Sequence, residues 1–221
     1  MRRRKTKHRI RMRFYTRMGT MVLIGLLIIL VGMKLFKVGP FEERYVEKTG
    51  SEIDAMRPDI EVRLLTVNEY SRPGTSAGHI NGIVIHYTAN SGSTAMQNRD
   101  YFEGLKDSKQ TMASSHFIVG LEGEIIQCVP TWEIAYASNE RNSDTVSIET
   151  CHLTEDGSYT KETYGSMVEL TAWLCKKFDL TEEDIIRHYD ITEKNCPRYF
   201  VENEEAWEMF KSDVAEVLDS I

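Results

Sequence analysis

A histidine and a cysteine lie eight residues apart in the stretch IIRHYDITEKNC. His188 follows a short apolar run, and Cys196 lies in the polar segment after it. Imidazole nitrogen and thiolate sulfur are both donors that zinc accepts. A third donor, His86, lies at the end of the β-branched run IVIHY, which is typical of a strand. Three protein donors leave one position open on the metal, which is the catalytic arrangement, whereas four closed donors make a structural site.

Each of these residues also has an ordinary structural interpretation. A histidine at the end of a strand is often a half-buried side chain with satisfied hydrogen bonds. A single cysteine is often a small buried apolar residue. A metal site is therefore indicated only if the fold brings the three donors together.

The segments that must position these donors alternate between strand and helix patterns. Apolar and β-branched runs predict strands over 83–87, 115–119, 124–129, 146–151 and 185–187. Apolar residues at helical spacing predict helices over 94–105, 161–178 and 203–221. The glycine in LEGE predicts a hairpin turn between the second and third strands. Strands that alternate with helices predict an α/β domain.

Charge is unevenly distributed along the chain. Residues 1–17 contain nine Lys or Arg residues and no acidic residue, whereas the rest contains the other 18 basic residues and all 34 acidic ones. Such a basic segment points to an address signal. The acidic remainder argues against electrostatic binding of a polyanion, so we expect no nucleic-acid partner.

An uncharged stretch over 18–33 follows the basic arm. A helix of this length spans about 24 Å, less than the bilayer core of about 30 Å. Apolar residues continue to position 38, and Lys34 and Lys37 can extend to the membrane surface beside them. No small-residue cleavage site follows. We therefore expect an uncleaved transmembrane signal anchor over 18–38, with the arm in the cytoplasm and the remainder outside the cell membrane.

Five short motifs occur in order along the rest of the chain: IVIHYTA, SSHFIVGLEGEIIQCVP, AYAS, TVSIET and RHYDITEKNCP. Together they resemble the zinc N-acetylmuramoyl-L-alanine amidases of the amidase-2 family, which are related to phage T7 lysozyme and to the peptidoglycan recognition proteins. The resemblance covers roughly residues 80–221, about two thirds of the chain. It implies a mixed central β-sheet flanked by helices, Zn²⁺ as the cofactor and peptidoglycan as the substrate.

By this resemblance, His86, His188 and Cys196 are the zinc ligands, Glu149 is the catalytic carboxylate, and Lys194 lies near the substrate carbonyl. The residues themselves leave the last two roles open. An acidic residue in the apolar strand TVSIET is costly to bury without a partner or a function, but strand alternation is equally compatible with a glutamate that faces solvent. Most lysines are solvated, although Lys194 is close enough to Cys196 in sequence to approach the metal.

The expected organisation has four parts. Residues 1–17 form a basic cytoplasmic arm, 18–38 a transmembrane signal anchor, 39–78 a stalk and lead-in, and 79–221 the zinc amidase domain. The resulting expectation is a membrane-anchored enzyme that cuts the amide between N-acetylmuramic acid and L-alanine. The sequence leaves its oligomeric state open.

Two residues depart from the family pattern. Some members have a tyrosine where this chain has Ser115, and many have a histidine within the segment AYAS, where this chain has Ser138. These differences leave open which groups assist the zinc, and they favour the version of the mechanism in which Glu149 acts.

Four further polar residues lie in or near the motifs, and each has an expected role. His116 is interpreted as a core histidine bonded to a backbone carbonyl, and His79 as an exposed loop residue. His152 is expected at a loop rim, with a spare metal ligand as the alternative. Asp190 is open among three roles: accepting a hydrogen bond within its loop, orienting a ligand histidine, or forming a turn.

Three cysteines remain once Cys196 is assigned to the metal. Cys128, Cys151 and Cys175 permit one disulfide with one thiol left over, and the sequence does not decide the pairing.

Two other functions compete with the enzyme. The same fold can serve as a non-catalytic peptidoglycan-binding module, for which loss of a metal ligand would be the sign, and here all three are present. A structural zinc protein would close the site with a fourth ligand, either His116 or His152.

Overall fold

The computed structural model describes residues 18–22, 24, 25, 27, 29, 31, 32, 34 and 50–221. The chain divides into two compact units, Met1–Arg44 and Tyr45–Ile221. The described residues between 18 and 34 are helical, but across the described ranges no helix combines the length and the apolar character needed to cross a bilayer. The basic arm over 1–17 and much of the segment 18–49 lie outside the described residues, so the anchor over 18–38 stays a prediction.

Six strands form one sheet within the described part of the second unit. They are β1 (Ile60–Val62), β2 (Gly82–Tyr87), β3 (Phe117–Val119), β4 (Ile125–Gln127), β5 (Thr145–Thr150) and β6 (Ile185–Arg187). Their order across the sheet is β1-β4-β3-β5-β2-β6. β3 and β4 form an antiparallel hairpin, and every other neighbouring pair is parallel. The mixed sheet and the hairpin are therefore as predicted, and Gly123 in the turn has a φ of +85°, which suits glycine.

The helices of the second unit are α1 (Ser51–Ala55), α2 (Ala95–Ser108), α3 (Lys161–Phe178), α4 (His188–Thr192), α5 (Arg198–Glu202) and α6 (Glu204–Ser220). Two short 3₁₀ helices cover Asn139–Ser143 and Glu182–Asp184. α2 begins with a capping box, in which the Thr94 side chain accepts from the Gln97 backbone and the Gln97 side chain accepts from the Thr94 backbone. The helices predicted over 94–105 and 161–178 are confirmed as α2 and α3.

The carboxyl-terminal region contains more helix than the sequence predicts. The segment predicted as one helix over 203–221 is α6, and α5 precedes it. The segment after His188, which was predicted as a loop, forms the short helix α4. Its first turn is capped because the Arg187 N–H donates to Asp190 Oδ2 over 2.7 Å.

Apolar residues are buried on both faces of the sheet. On one face, Ile83, Ile85 and Phe117 pack in a cluster with α3 and α6. On the other, Ile118 and Ile126 pack with residues of α2. The run in β2 is buried from Gly82 to His86, which confirms the two-sided burial predicted from its continuous apolar pattern.

The described part of the predicted stalk and lead-in, residues 50–78, contributes to the fold. β1 pairs in parallel with β4 at the sheet edge. Beyond it, Thr66 donates from its backbone N–H and its hydroxyl to Glu103 on α2. The Arg72 guanidinium donates to both carboxylate oxygens of Glu133, each over 2.7 Å. The sequence predicts that the domain starts at residue 79, whereas the sheet begins upstream of that residue.

Candidate metal centre and active site

The three predicted zinc ligands meet at one edge of the sheet. β2 and β6 are parallel neighbours, so their carboxyl ends lie together. His86 is the next-to-last residue of β2, and His188 follows β6 directly as the first residue of α4. Cys196 lies beyond α4. One donor atom from each residue lies within 4.8 Å of the other two, and all three side chains are buried.

Short contacts define the geometry of this cluster. The Cys196 Sγ is 3.9 Å from His86 Nδ1. The His86 and His188 rings have centroids 4.7 Å apart. The chain returns to the cluster because the Tyr189 N–H donates to the Cys196 carbonyl over 2.8 Å, which closes the loop after α4.

The electrostatic environment favours the neutral form of both imidazoles. Burial, the positive charge on a protonated His188 and the nearby Lys194 hold the pKa of His86 well below its usual value. Burial and Lys194 also lower the pKa of His188. A neutral imidazole has a lone pair free for a metal. Burial and Glu149 raise the pKa of the Cys196 thiol to about 12, and a bound cation favours the thiolate instead.

The donor set fits zinc. Two imidazoles and a thiolate are typical ligands of a three-residue zinc site with an open fourth position. His188 Nδ1 is buried and has no hydrogen-bond partner among the described residues. An unpaired buried nitrogen is costly, and a metal that accepts its lone pair removes that cost.

Glu149 lies beside the donors, on the neighbouring strand β5. Its Cα pairs with that of His86 in the parallel register of β2 and β5. Its Oε2 is buried without a hydrogen-bond partner in the described part of the chain. Burial raises the pKa of Glu149 to about 8, and the charge of Lys194 opposes that rise. The carboxyl group is therefore able to exchange a proton near neutral pH.

One cavity contains the whole predicted site. Its volume is about 400 Å³, and its walls include the three donors together with Glu149 and Lys194. Lys194 is exposed, in contrast to the buried donors. The other wall residues are Tyr87, Phe102, Met112, Ala113, Ser114, Tyr136, Ala137, Asn139 and Asn142. The geometry thus joins a metal-binding donor set, a carboxyl group and a cation in one space.

The two candidates for a fourth metal ligand lie elsewhere. His116 Nδ1 accepts from the Ser147 N–H over 3.0 Å, and its Nε2 bonds to the Glu133 carbonyl over 2.9 Å. The interpretation as a core histidine is confirmed. His152 Nδ1 bonds to the Thr154 carbonyl over 2.8 Å, and neither histidine belongs to the donor cluster.

Other sequence interpretations are decided by local contacts. Asp190 accepts hydrogen bonds from the backbone and the guanidinium of Arg187, which is the first of its three expected roles, a hydrogen bond within its own segment.

The four cysteines all lie in the described range and are free, so the disulfide that the sequence left open does not form. Ser115 donates to the backbone of the core at Phe117 and Ser147, away from the cavity walls.

Two residues near the donors were not identified as functional from the sequence. In the sequence, Ser138 differs from a family pattern, and Asn139 carries no signal of its own. Ser138 Oγ lies 3.2 Å from His86 Nε2, and Asn139 Oδ1 lies 3.0 Å from His188 Nε2. The segment SNERN has no strand or helix periodicity that would have placed it beside the metal ligands.

Comparison with known proteins identifies the family. The model of a family described as N-acetylmuramoyl-L-alanine amidase matches residues 76–199. The N-acetylmuramoyl-L-alanine amidase CwlL of Bacillus licheniformis is 34% identical over 165 residues, which cover 69% of this chain and 45% of that protein. The N-acetylmuramoyl-L-alanine amidase BlyA of Bacillus subtilis (strain 168) is 34% identical over 171 residues, covering 68% and 45%. The matched part thus spans a little under half the length of these relatives.

A solved structure supports the fold. A mutant endolysin from Bacillus subtilis superposes with a TM-score of 0.60 at 24% identity, covering 71% of this chain and 98% of that one. The family match covers residues 76–199, more than half of the sequence, so the chain belongs to the amidase-2 family of N-acetylmuramoyl-L-alanine amidases.

Proposed function

We propose that the protein is a zinc-dependent amidase that hydrolyses the bond between N-acetylmuramic acid and the L-alanine of the stem peptide in peptidoglycan. Membership of the amidase family supports the type of bond. The observation that carries the proposal is the convergence of His86, His188 and Cys196 beside the unpaired Glu149 carboxyl in one cavity.

His86, His188 and Cys196 would hold the metal through two nitrogens and one sulfur. Zinc bound there lowers the pKa of a water molecule and polarises a carbonyl oxygen. Because neither His116 nor His152 is among the donors, the described residues supply three ligands and would leave one position open, as a catalytic site requires.

Glu149 would move the proton that amide hydrolysis requires. Its Oε2 accepts a proton as the oxygen of water bonds to the carbonyl carbon, and it then gives that proton to the amide nitrogen as the C–N bond breaks. The base must be ionised at the start. Burial opposes ionisation, with a pKa of about 8, but a cation among the adjacent donors shifts the pKa back towards neutral pH.

Lys194 would stabilise the negative charge that develops on the substrate. The carbonyl oxygen becomes negative as water adds, and an ammonium group at the cavity wall stabilises that charge. Because Lys194 is exposed, its ammonium group is accessible to a substrate that enters the cavity.

The proposal includes a location outside the cell membrane. It is supported by the sequence pattern, in which nine basic residues precede an uncharged stretch over 18–33. Protease treatment of intact protoplasts tests it: degradation of the amidase domain with protection of the basic arm is expected, and full protection would contradict it.

The test of activity uses the full chain, purified in detergent. Bound zinc is measured first, and purified peptidoglycan is then digested and analysed by mass spectrometry. We expect one zinc per chain and stem peptides with a free L-alanine amino terminus. The Glu149→Gln variant should keep its zinc and lose activity by about 10²–10⁴-fold, the usual contribution of a general base.

A control variant makes the same chemical change at a glutamate away from the cavity. Glu169→Gln changes an exposed glutamate on α3 and should leave activity unchanged. Binding of peptidoglycan with zinc present but without cleavage would favour the non-catalytic module. Release of new reducing sugar ends would contradict the choice of bond, and absence of zinc would contradict the metal site.

A further inference from the structure

Two adjacent residues of one loop contact both ligand histidines. Ser138 Oγ lies 3.2 Å from His86 Nε2. Asn139 Oδ1 lies 3.0 Å from His188 Nε2. In each imidazole the nitrogen that this loop contacts is Nε2, and Nδ1 of both rings is left free of the loop.

The contact to His188 defines its tautomer. An amide oxygen is only an acceptor, so Nε2 of His188 must carry the proton that it shares with Asn139. Nδ1 then has a free lone pair, and it is the buried nitrogen that has no partner among the described residues. The buried nitrogen without a partner is therefore the one able to bind a metal.

At His86 the same tautomer would follow from metal binding and not from the contact alone. A serine hydroxyl can donate or accept, so Ser138 alone does not set the tautomer. On the other side of the ring, Nδ1 lies 3.9 Å from the Cys196 Sγ, within the donor cluster. If Nδ1 binds the metal, Nε2 carries the proton and donates it to Ser138.

The loop that presents these two residues is held in place by its own hydrogen bonds. Asn142 Oδ1 accepts from the backbone N–H groups of Ala137 and Ser138, over 3.0 and 2.6 Å. The Arg141 N–H donates to the Ser138 carbonyl over 3.0 Å. Asn139 has a φ of +53°, a left-handed conformation that asparagine tolerates better than most residues. The backbone is thus turned so that successive side chains reach different imidazoles.

We propose that Ser138 and Asn139 are positioning residues that hold His86 and His188 in the Nε2–H tautomer and direct both Nδ1 atoms at the metal. The inference rests on the metal site of the proposed function. Acceptors on the outer nitrogen of a ligand histidine fix the ring and increase its strength as a donor, and their loss commonly lowers metal affinity 10- to 100-fold.

The substitution at position 139 must respect its backbone. Alanine is strained at a φ of +53°, whereas glycine adopts it freely. Asn139→Gly therefore removes the carboxamide with little strain, and Asn139→Asp restores an acceptor oxygen. Ser138→Ala removes the other contact. Lys109→Gly, at a φ of +54° at the end of α2, is the matched control for the backbone effect.

The first measurement is made on the metal-free full chain. Long-range ¹H–¹⁵N spectra report which nitrogen of each histidine is protonated. We expect Nε2–H for His86 and His188 in the wild-type protein, and loss of the single tautomer of His188 in Asn139→Gly. An Nδ1–H tautomer of His188 in the wild-type protein would overturn the proposal without any variant.

The second measurement is zinc affinity, by competition with a chelator. Asn139→Gly and Ser138→Ala should each bind zinc 10- to 100-fold more weakly than the wild type. Asn139→Asp should retain most of the wild-type affinity, and Lys109→Gly should bind zinc as the wild type does. Unchanged affinity in both loop variants would overturn the proposal. If the wild-type chain bound no zinc, the proposed function would fail, whereas the tautomers would still decide whether the loop positions the rings.

Discussion

His86 and Glu149 are direct partners across the parallel strands β2 and β5. Residues at paired positions of adjacent strands present their side chains to the same face of the sheet. The candidate metal-binding imidazole and the carboxyl group are therefore placed together by strand register alone. A shift of one residue in this register would move one of them to the opposite face.

The buried position of Glu149 beside His86 should lower the free energy of unfolding by an amount that depends on pH. Its pKa rises from an ordinary 4.5 to about 8 in the folded metal-free protein, so the folded state binds more protons than the unfolded state between these values. Stability then falls as pH rises through that window. We expect metal-free Glu149→Gln to be more stable than the metal-free wild type at pH 8, by up to about 4 kcal/mol, and equal to it near pH 4.

Urea unfolding in the presence of a chelator measures this difference at each pH. Glu169→Gln, on the exposed side of α3, should show no comparable gain at pH 8. A Glu149→Gln variant that is less stable than the wild type at pH 8 would show that the carboxylate makes a favourable interaction in the folded protein.

Cys196 should determine both zinc affinity and the response to chelators. We expect Cys196→Ser to bind zinc at least about 100-fold more weakly, because a hydroxyl is a poor substitute for a thiolate on this metal. Bound zinc stabilises the folded state by mass action. A chelator should therefore lower the melting temperature of the wild type and leave that of Cys196→Ser nearly unchanged.

Cys175→Ser is the matched control for this substitution. Cys175 is also a buried free thiol, but it lies on α3, where its Sγ contacts the Thr181 carbonyl at 3.8 Å. This variant should keep the drop in melting temperature on chelation. Loss of the drop in both variants would indicate that thiols act on stability without a metal.

The donors could be predicted from sequence because their placement follows from simple rules. His86 and His188 each end a strand-like run, and parallel strands bring their carboxyl ends to one edge of a sheet. Cys196 is too close to His188 in sequence to lie far away. Glu149 could be placed on a strand, but the face it presents depends on register, which alternation alone left undecided.

The loop at Ser138 and Asn139 could not be predicted in the same way. Its position depends on the side chain of Asn142 and on a left-handed residue, and neither has a periodic signal. Likewise α4 exists because Asp190 caps it, and a five-residue helix is too short to show an amphipathic pattern. Elements fixed by repeated burial were predictable, whereas those fixed by single hydrogen bonds were not.

Asp190 should matter for stability through Arg187. Its carboxylate accepts from the Arg187 N–H and from the guanidinium, whose side chain is only 10% exposed. Asp190→Ala leaves a nearly buried cation with fewer partners, and we expect a loss of about 1–3 kcal/mol in the free energy of unfolding. Glu205→Ala, an exposed residue in the first turn of α6, is the control and should change it by less than about 0.5 kcal/mol. Equal losses would contradict the role of the Arg187 contact.

Lys194 should have opposite effects on metal affinity and on turnover. Its positive charge lowers the pKa of both His86 and His188, which shows that it disfavours a second cation at the donors. Lys194→Met should therefore bind zinc slightly more tightly. Turnover should nevertheless fall by about 10- to 100-fold, because the negative charge that develops on the carbonyl oxygen loses a neighbouring cation.

Chelator competition and the rate of peptide release measure the two quantities on the same preparation. Lys176→Met, an exposed position on α3, should change neither. A parallel decrease of zinc affinity and turnover in Lys194→Met would mean that the lysine supports the Cys196 loop. A decrease in turnover with zinc retained or strengthened separates charge stabilisation from metal binding, because a residue that only shaped the loop would weaken both.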